Sequence, residues 1–88
     1  MRYRVVVSGR VQGVFFRTTC EQVAGGLGVR GWVRNRDDGA VELVAEGRRE
    51  PVEQLLDWCR HGPPKANVTG VSVAREPLGA ERGFRVRH

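Results

Sequence analysis

Polar and apolar residues alternate in the first strand-length stretch of the chain, residues 2–8. The apolar side chains of one face belong to Tyr3, Val5 and Val7. A period of two is typical of a strand with one buried face. From Phe16 to Leu27 the apolar residues recur instead at helical spacing. The pattern therefore predicts a strand, then a glycine-bearing loop, then a helix over residues 16–27.

The middle of the chain predicts a β-hairpin followed by a second helix. Asp38-Gly39 is a turn signal between two strand-like runs, residues 29–35 and 41–45. Pro51 is predicted to open the second helix, at a position where its missing N–H costs nothing. The Gly62-Pro63-Pro64 break ends that helix. Its apolar stripe consists of Val52, Leu55, Leu56 and Cys59.

Two further strands, over residues 67–75 and 83–87, complete the pattern. The order β-α-β-β-α-β plus a terminal strand predicts an α+β protein of the ferredoxin-like split βαβ type, an antiparallel sheet with two helices on one face. The other face is predicted to be open and charged, with opposite charges on neighbouring strands close enough to pair. The residues expected on it are Arg2, Arg4, Arg30, Arg34, Glu42, Glu46, Arg85 and Arg87.

The length of 88 residues predicts a single domain, residues 1–88, without room for a separate cofactor domain. The apolar run near the start of the chain is too short for a signal peptide or a membrane span. We therefore expect a cytoplasmic protein with no membrane partner.

Neither the cysteines nor the histidines show the spacing of a metal site. Cys20 and Cys59 form no C-x-x-C motif, and two cysteines in an intracellular chain are not a disulfide framework. We expect both to be reduced core residues, at one end of two antiparallel helices. His61 and His88 have no partner suggested by spacing, so both are expected on the surface without a catalytic role.

The chain is basic, with a formal net charge of +5 that is carried almost entirely by arginine. A positive balance suits an anionic ligand, either a small phosphate or a nucleic acid. A solvated surface laced with salt bridges explains the same composition. Charge alone leaves these alternatives open.

The loop from Gly9 to Arg17 contains the residue types that an anion site needs. Glycines at positions 9 and 13 permit unusual backbone conformations and close approach to a ligand. A helix that begins near Phe16 directs its free N–H groups and its positive dipole end at the same place. Arg17 adds a planar fork that can bind two phosphate oxygens. On these grounds alone, a tight turn with a solvent-facing arginine is an equally good interpretation.

The predicted topology brings a second polar residue to this loop. Because a helix connects the first and second strands, the two run in the same direction, and the third strand lies between them. The loop 9–17 and Asn35, at the end of the second strand, are therefore expected at the same sheet edge. Two interstrand spacings put their backbones about 10 Å apart.

Two segments of the sequence resemble the signatures of the acylphosphatase family. The first is the run Val7-Ser8-Gly9-Arg10-Val11-Gln12-Gly13-Val14-Phe15-Phe16-Arg17. The second is Gly31-Trp32-Val33-Arg34-Asn35, followed at its usual spacing by Gly39, Val41 and Gly47. Together the two segments span about a third of the chain, and the predicted element order matches the family over the rest.

The resemblance implies a hydrolase that converts an acyl phosphate and water to a carboxylate and inorganic phosphate, without a phosphoenzyme. It implies that Arg17 binds the substrate phosphate and that Asn35 positions the attacking water. The phosphate cradle would be the backbone N–H groups of Gln12, Gly13, Val14, Phe15, Phe16 and Arg17. We expect a monomer that needs no cofactor or metal and takes small-molecule acyl phosphates as its partners.

Two rival hypotheses belong to other classes. A non-catalytic module for phosphate or nucleic acid would bind RNA or DNA with a steep salt dependence and hydrolyse nothing. Its base-stacking platform would have to consist of Tyr3, Trp32 and Phe84. The aromatic pattern of RNA-recognition modules is absent from the sequence. We therefore expect these aromatic residues to pack in the ordinary way, and we expect no nucleic-acid partner. The second rival is an accessory domain such as those inside larger carbamoyl-transfer proteins, although the sequence favours a free-standing chain.

Overall fold

Five strands and two helices make up the protein, and the computed structural model describes all 88 residues. The elements are β1 (Arg2–Arg10), α1 (Phe16–Leu27), β2 (Arg30–Asn35), β3 (Val41–Glu46), α2 (Arg49–Cys59), β4 (Asn67–Arg75) and β5 (Phe84–Arg87). The predicted α+β order is confirmed. Neither helix has the length and the apolar character that a membrane crossing requires.

The strands form one sheet in the order β4-β1-β3-β2-β5. As predicted, β3 lies between β1 and β2, and it is antiparallel to both. The expectation of a wholly antiparallel sheet is wrong at one edge, because β5 is parallel to β2. The reason lies in the connection: β4 ends opposite the start of β1, where Arg75 pairs with Tyr3. Residues 76–83 cross the sheet at that end. β5 therefore begins at the same end of the sheet as β2 and runs parallel to it.

The core lies between the sheet and the two helices, which cover one face. Its buried side chains from the helices are Phe16, Cys20, Ala24, Val52, Leu55, Leu56 and Cys59. The second helix begins at Arg49, two residues before the predicted start at Pro51. Pro51 is tolerated there because the N–H groups of the whole first turn lack intrahelical acceptors.

Cys20 and Cys59 are both buried free thiols, as predicted. They are neighbours across the α1–α2 contact. The interaction with the Cys59 thiol, together with burial, raises the pKa of the Cys20 thiol well above its ordinary value. Cys20 is therefore a neutral packing element of the core, and both side chains are fully buried there.

The other sheet face carries the predicted charges, and they pair across strands. Glu42 accepts from Arg34 at 2.6 Å and from Arg4, and Glu46 lies 3.1 Å from Arg2. The expectation that this face is open is wrong in part, because Glu42 and Glu46 are only 5% and 3% exposed. The crossing segment 76–83 covers part of it, and the N–H of Gly79 donates to Glu46 at 2.7 Å.

Candidate active site

The loop between β1 and α1 leaves the sheet through a bulge at Gly9. The β1–β4 register shifts between Ser8 and Gly9, and a side chain at position 9 would collide with the carbonyl oxygen of Asn67. Two later residues adopt left-handed backbone conformations, Gly13 with φ 74° and Phe15 with φ 66°. Phe15 is the one non-glycine residue in such a conformation, a strained state that persists only where the surroundings impose it.

This backbone path leaves a row of hydrogen-bond donors free. None of the N–H groups from Gln12 to Thr18 donates a hydrogen bond within the protein; the first one used in α1 is that of Thr19, which donates to the Phe15 carbonyl at 3.1 Å. The last of the free donors belong to the first turn of α1, where the helix dipole is positive. Consecutive free N–H groups in such a turn form a concave anion site.

Apolar side chains anchor the loop from beneath. Val11, Val14 and Phe16 are at most 5% exposed. The ring of Phe16 packs against that of Trp58 on α2, with centroids 5.0 Å apart. These anchors fix the backbone of the loop, so the free donors are already oriented before a ligand arrives.

A side-chain amide ties the loop to the β2–β3 turn. Gln12 Nε2 donates to the carbonyl oxygens of Arg36 at 2.7 Å and Ala40 at 3.0 Å. Sequence reasoning assigned Gln12 only a backbone role and missed this clamp, since no local pattern predicts a contact between the loop and the turn. The clamp holds the two halves of the site at a fixed spacing.

Arg17 and Asn35 line one depression of about 330 Å³ at the edge where β1 and β2 end. The complete lining is Val11, Gly13, Phe15, Phe16, Arg17, Thr18 and Asn35. Of the residues predicted for the site, Gln12 and Val14 do not line the depression, because they anchor the loop instead. Val11 and Thr18 line it without having been predicted.

The guanidinium of Arg17 has no carboxylate within 4.0 Å, in contrast to the arginines of the outer face. Its side-chain partner is His88, with Arg17 Nη1 3.2 Å from His88 Nδ1. His88 is exposed, as predicted, and its contact with Arg17 is one that spacing in the sequence did not suggest. The parallel pairing of β5 with β2 brings the end of β5 to the site.

Asn35 is held by the sheet while its side-chain amide is free. Its backbone pairs with Val41 of β3, and the turn that follows is closed by the Arg36 N–H donating to Ala40 at 2.8 Å. The side chain itself makes no hydrogen bond within the protein, and the residue is half-buried. An amide in this position can both donate to and accept from a small polar molecule.

The site therefore combines a cradle of N–H donors, one uncompensated cation and one free amide. The depression is lined by no carboxylate, thiol or imidazole, and its one hydroxyl belongs to Thr18. No group of three or more potential metal ligands occurs in the chain. The arrangement can bind an anion and hold a polar molecule beside it.

Comparisons with known proteins show similarity to acylphosphatases in sequence and in fold. A family model described as Acylphosphatase matches residues 3–86. An acylphosphatase of Rubrobacter xylanophilus is 58% identical over 87 residues, which are 98% of this chain and 79% of that protein. The solved acylphosphatase from Bacillus subtilis is 38% identical with a TM-score of 0.94, covering 99% of this chain and 98% of the other. HypF of T. kodakarensis is 32% identical with a TM-score of 0.85, and this chain covers 12% of it.

Proposed function

The chain belongs to the acylphosphatase family, and from this premise we propose that its loop, Arg17 and Asn35 carry out the family's reaction. That reaction is hydrolysis of the carboxyl–phosphate bond of an acyl phosphate, giving a carboxylate and inorganic phosphate. The resemblance of the two sequence motifs to this family is confirmed by the family model and by relatives at 58% identity.

The row of free N–H groups from Gln12 to Thr18 is the observation that carries the proposal. Within this row, Gly13 and residues 15–18 line one depression, which also receives the guanidinium of Arg17 without a carboxylate partner. Donors that are fixed in advance stabilise phosphate oxygens without reorganising during the reaction. The loop would bind the phosphate through its backbone, and Arg17 would bind two of its oxygens.

Asn35 supports the hydrolytic step because its free amide faces the same depression. We propose that Asn35 holds the attacking water, because its amide can both donate a hydrogen bond to the water and accept one from it. The water oxygen attacks phosphorus, the bond from phosphorus to the acyl oxygen breaks, and the electron pair leaves with the carboxylate. A phosphate oxygen of the substrate takes the water proton.

This scheme needs few protein groups, which agrees with the sparse lining of the site. A carboxylate is a weak base and leaves without a general acid. Phosphoryl transfer then depends mainly on positioning and on fixed positive charge. His88 would contribute indirectly, as a positioning residue that accepts a hydrogen bond from Arg17.

Hydrolysis of benzoyl phosphate in the presence of a chelator tests the assignment of Arg17. We expect Arg17→Ala to lower kcat/KM by at least about 10²–10³-fold, as is typical for the loss of one preorganised donor. Arg60→Ala, at an exposed arginine after α2, removes the same charge and should leave turnover unchanged. Near-normal turnover of Arg17→Ala would remove Arg17 from the mechanism.

The rival binding module predicts anion binding in the same depression without turnover, so the assay separates the two. Family membership and the amide of Asn35 beside the cradle favour the enzyme. The match to HypF favours the accessory-domain hypothesis, because this chain corresponds to only 12% of that protein. The relative from Rubrobacter xylanophilus, 79% of which is covered, supports a small enzyme instead.

We further propose that the enzyme is active as a monomer on small-molecule acyl phosphates. Every residue assigned to the site comes from one chain, which supports this. Light scattering during size-exclusion chromatography should give the mass of one chain at concentrations that show full activity. The cytoplasmic location stays a prediction from the sequence.

A further inference from the structure

Three arginines near β5 lack the acidic partners that the other arginines of the outer sheet face possess. Arg2, Arg4, Arg30 and Arg34 each lie within 4.0 Å of a carboxylate. Arg82, Arg85 and Arg87 are exposed and form no such ion pair. Three positive charges close together beside β5 are therefore left without an ion pair.

These arginines line a depression of about 360 Å³ beside the crossing segment 76–83. Its lining is Trp32, Ala80, Glu81, Arg82, Arg85 and Arg87. Glu81 is its one carboxylate, and this group lies 3.5 Å from Arg2. Arg2 also pairs with Glu46 and Glu76. Even with the charge of Glu81 counted in full, the three arginines give the depression a net positive charge. A concave surface that carries one sign of charge concentrates the opposite ions, here anions.

Trp32 holds one of the cations in position. Its side chain is only 7% exposed, and the guanidinium of Arg87 lies over the ring at 4.6 Å from the centroid. A cation–π contact of this kind restricts the arginine before a ligand binds. Less conformational entropy is then lost when the guanidinium of Arg87 binds an anion.

We propose that this depression is a second anion site, which binds a small molecule carrying one or more phosphate groups. Arginine forks match phosphate oxygens in geometry and charge. The volume falls within the range of roughly 300–1,000 Å³ that small-molecule sites occupy. A single-stranded nucleic acid fits less well, because Arg87 covers the ring on which a base would stack.

The second site is independent of the first. The depression that contains Arg17 and the one that contains Trp32 share no lining residue. The first is formed by the loop at the sheet edge and the second by the outer face and the crossing segment. The inference therefore goes beyond the proposed hydrolysis and can be tested whether or not hydrolysis occurs.

An NMR titration of the ¹⁵N-labelled full chain with inorganic pyrophosphate tests this proposal. The indole N–H of Trp32 reports on the second site, and the backbone N–H of Gly13 reports on the loop. We expect a saturable shift of the Trp32 signal with its own Kd. Arg85→Gln leaves the contact between Arg87 and Trp32 in place and should weaken this Kd about tenfold or more, as the loss of a charge-assisted hydrogen bond does.

Arg75→Gln is the matched control, because Arg75 is an exposed arginine on β4, at the other edge of the sheet, and forms no ion pair. It should leave the Kd at Trp32 within about twofold of the wild-type value, allowing for long-range screening. Both variants should hydrolyse benzoyl phosphate at the wild-type rate, which shows that they are folded.

Three results would overturn the proposal. One is the absence of a saturable shift at Trp32, and another is an equal loss of affinity in the Arg75 and Arg85 variants. The third is a short single-stranded DNA that binds at Trp32 more than about tenfold more tightly than pyrophosphate, because a sequence-independent nucleic-acid surface would then explain the charge.

Discussion

Arg17 differs from the arginines of the outer face in the group that it contacts. Arg2 and Arg4 neutralise carboxylates of the sheet, whereas Arg17 contacts the ring nitrogen of His88. Nδ1 can accept this hydrogen bond only when it carries no proton. The charge of Arg17 then remains free for a ligand, so a phosphate can bind without first displacing a carboxylate.

The position of Asn35 leads to a prediction that separates binding from turnover. Asn35→Ala should lower kcat for benzoyl phosphate about 10²-fold or more, because the attacking water loses its position. The inhibition constant of inorganic phosphate should stay near its wild-type value, since the N–H cradle and Arg17 are retained. The measurement is steady-state kinetics with and without phosphate.

Asn67→Ala is the matched control for that prediction, at an exposed asparagine on β4, and it should change neither constant. Loss of phosphate binding together with surviving turnover would reverse the roles assigned to Asn35 and Arg17.

The contact between His88 and Arg17 predicts that replacing His88 weakens substrate binding more than it slows turnover. His88→Ala frees the guanidinium to sample other rotamers, so KM for benzoyl phosphate should rise about threefold to tenfold while kcat changes less. His88→Gln supplies an amide oxygen as acceptor and should restore most of the loss. His61→Ala serves as control. A fall in kcat with unchanged KM would assign His88 to the chemical step instead.

At the scale of elements, the site depends on the joint between the loop and the β2–β3 turn. The two hydrogen bonds of Gln12 make that joint. Gln12→Ala should lower the free energy of unfolding by about 1–2 kcal/mol, because each bond contributes about 1 kcal/mol. Turnover of benzoyl phosphate should fall as well, since Asn35 loses its fixed distance from the loop.

Urea unfolding and steady-state kinetics check this prediction together. Gln22→Ala, at an exposed position of α1, should affect neither quantity appreciably. If Gln12→Ala destabilised the protein and left kcat unchanged, the clamp would stabilise the fold without aligning the site.

Local patterns were enough to predict most elements. The helix over residues 16–27 and the strand over residues 67–75 have the predicted bounds, because periodicity and glycine signals act within a few residues of the chain. The convergence of the loop with Asn35 also followed, since it requires only that β3 lie between β1 and β2.

Long-range features could not be predicted in this way. The parallel pairing of β5 depends on where residues 76–83 cross the sheet, and no spacing in the sequence encodes that path. The same crossing buries Glu46 and brings His88 to Arg17, so both were missed. The roles of Arg17 and Asn35 rest on the family resemblance and on their shared depression, and kinetics must test them.

At the scale of the whole molecule, the buried ion pairs of the outer face couple stability to pH. The pKa of Glu46 lies below its ordinary value. The hydrogen bond from the N–H of Gly79 and the guanidinium of Arg2 lower this pKa, while burial acts in the opposite direction. A carboxyl with a lowered pKa in the folded state stabilises the protein fully above its unfolded pKa of about 4.3. That stabilisation is lost as the pH falls through the lower, folded pKa.

Glu46→Gln should therefore reduce the loss of stability in acid. We expect the free energy of unfolding of the wild-type protein to decline below a pH of about 4.3, and to decline less steeply in the variant. Urea unfolding at a series of pH values measures both. Asp37→Asn, at an exposed carboxylate outside the ion pairs, should retain the wild-type slope. Parallel curves for Glu46→Gln and wild type would exclude a contribution of Glu46 to the loss of stability in acid.

The two outer strands of the sheet, β4 and β5, are also the last two elements to be synthesised. A nascent chain that ends before β4 contains α1, the β2–β3 hairpin and α2, but the outer edges of β1 and β2 have no partner strand. Unpaired edges of this kind invite association between chains. β1 gains its second partner strand when β4 emerges, and β2 gains its second partner when β5 emerges. β5 is also the strand that brings His88 to Arg17. Pairing of the β2 edge and the contact between His88 and Arg17 therefore both require the last strand, β5.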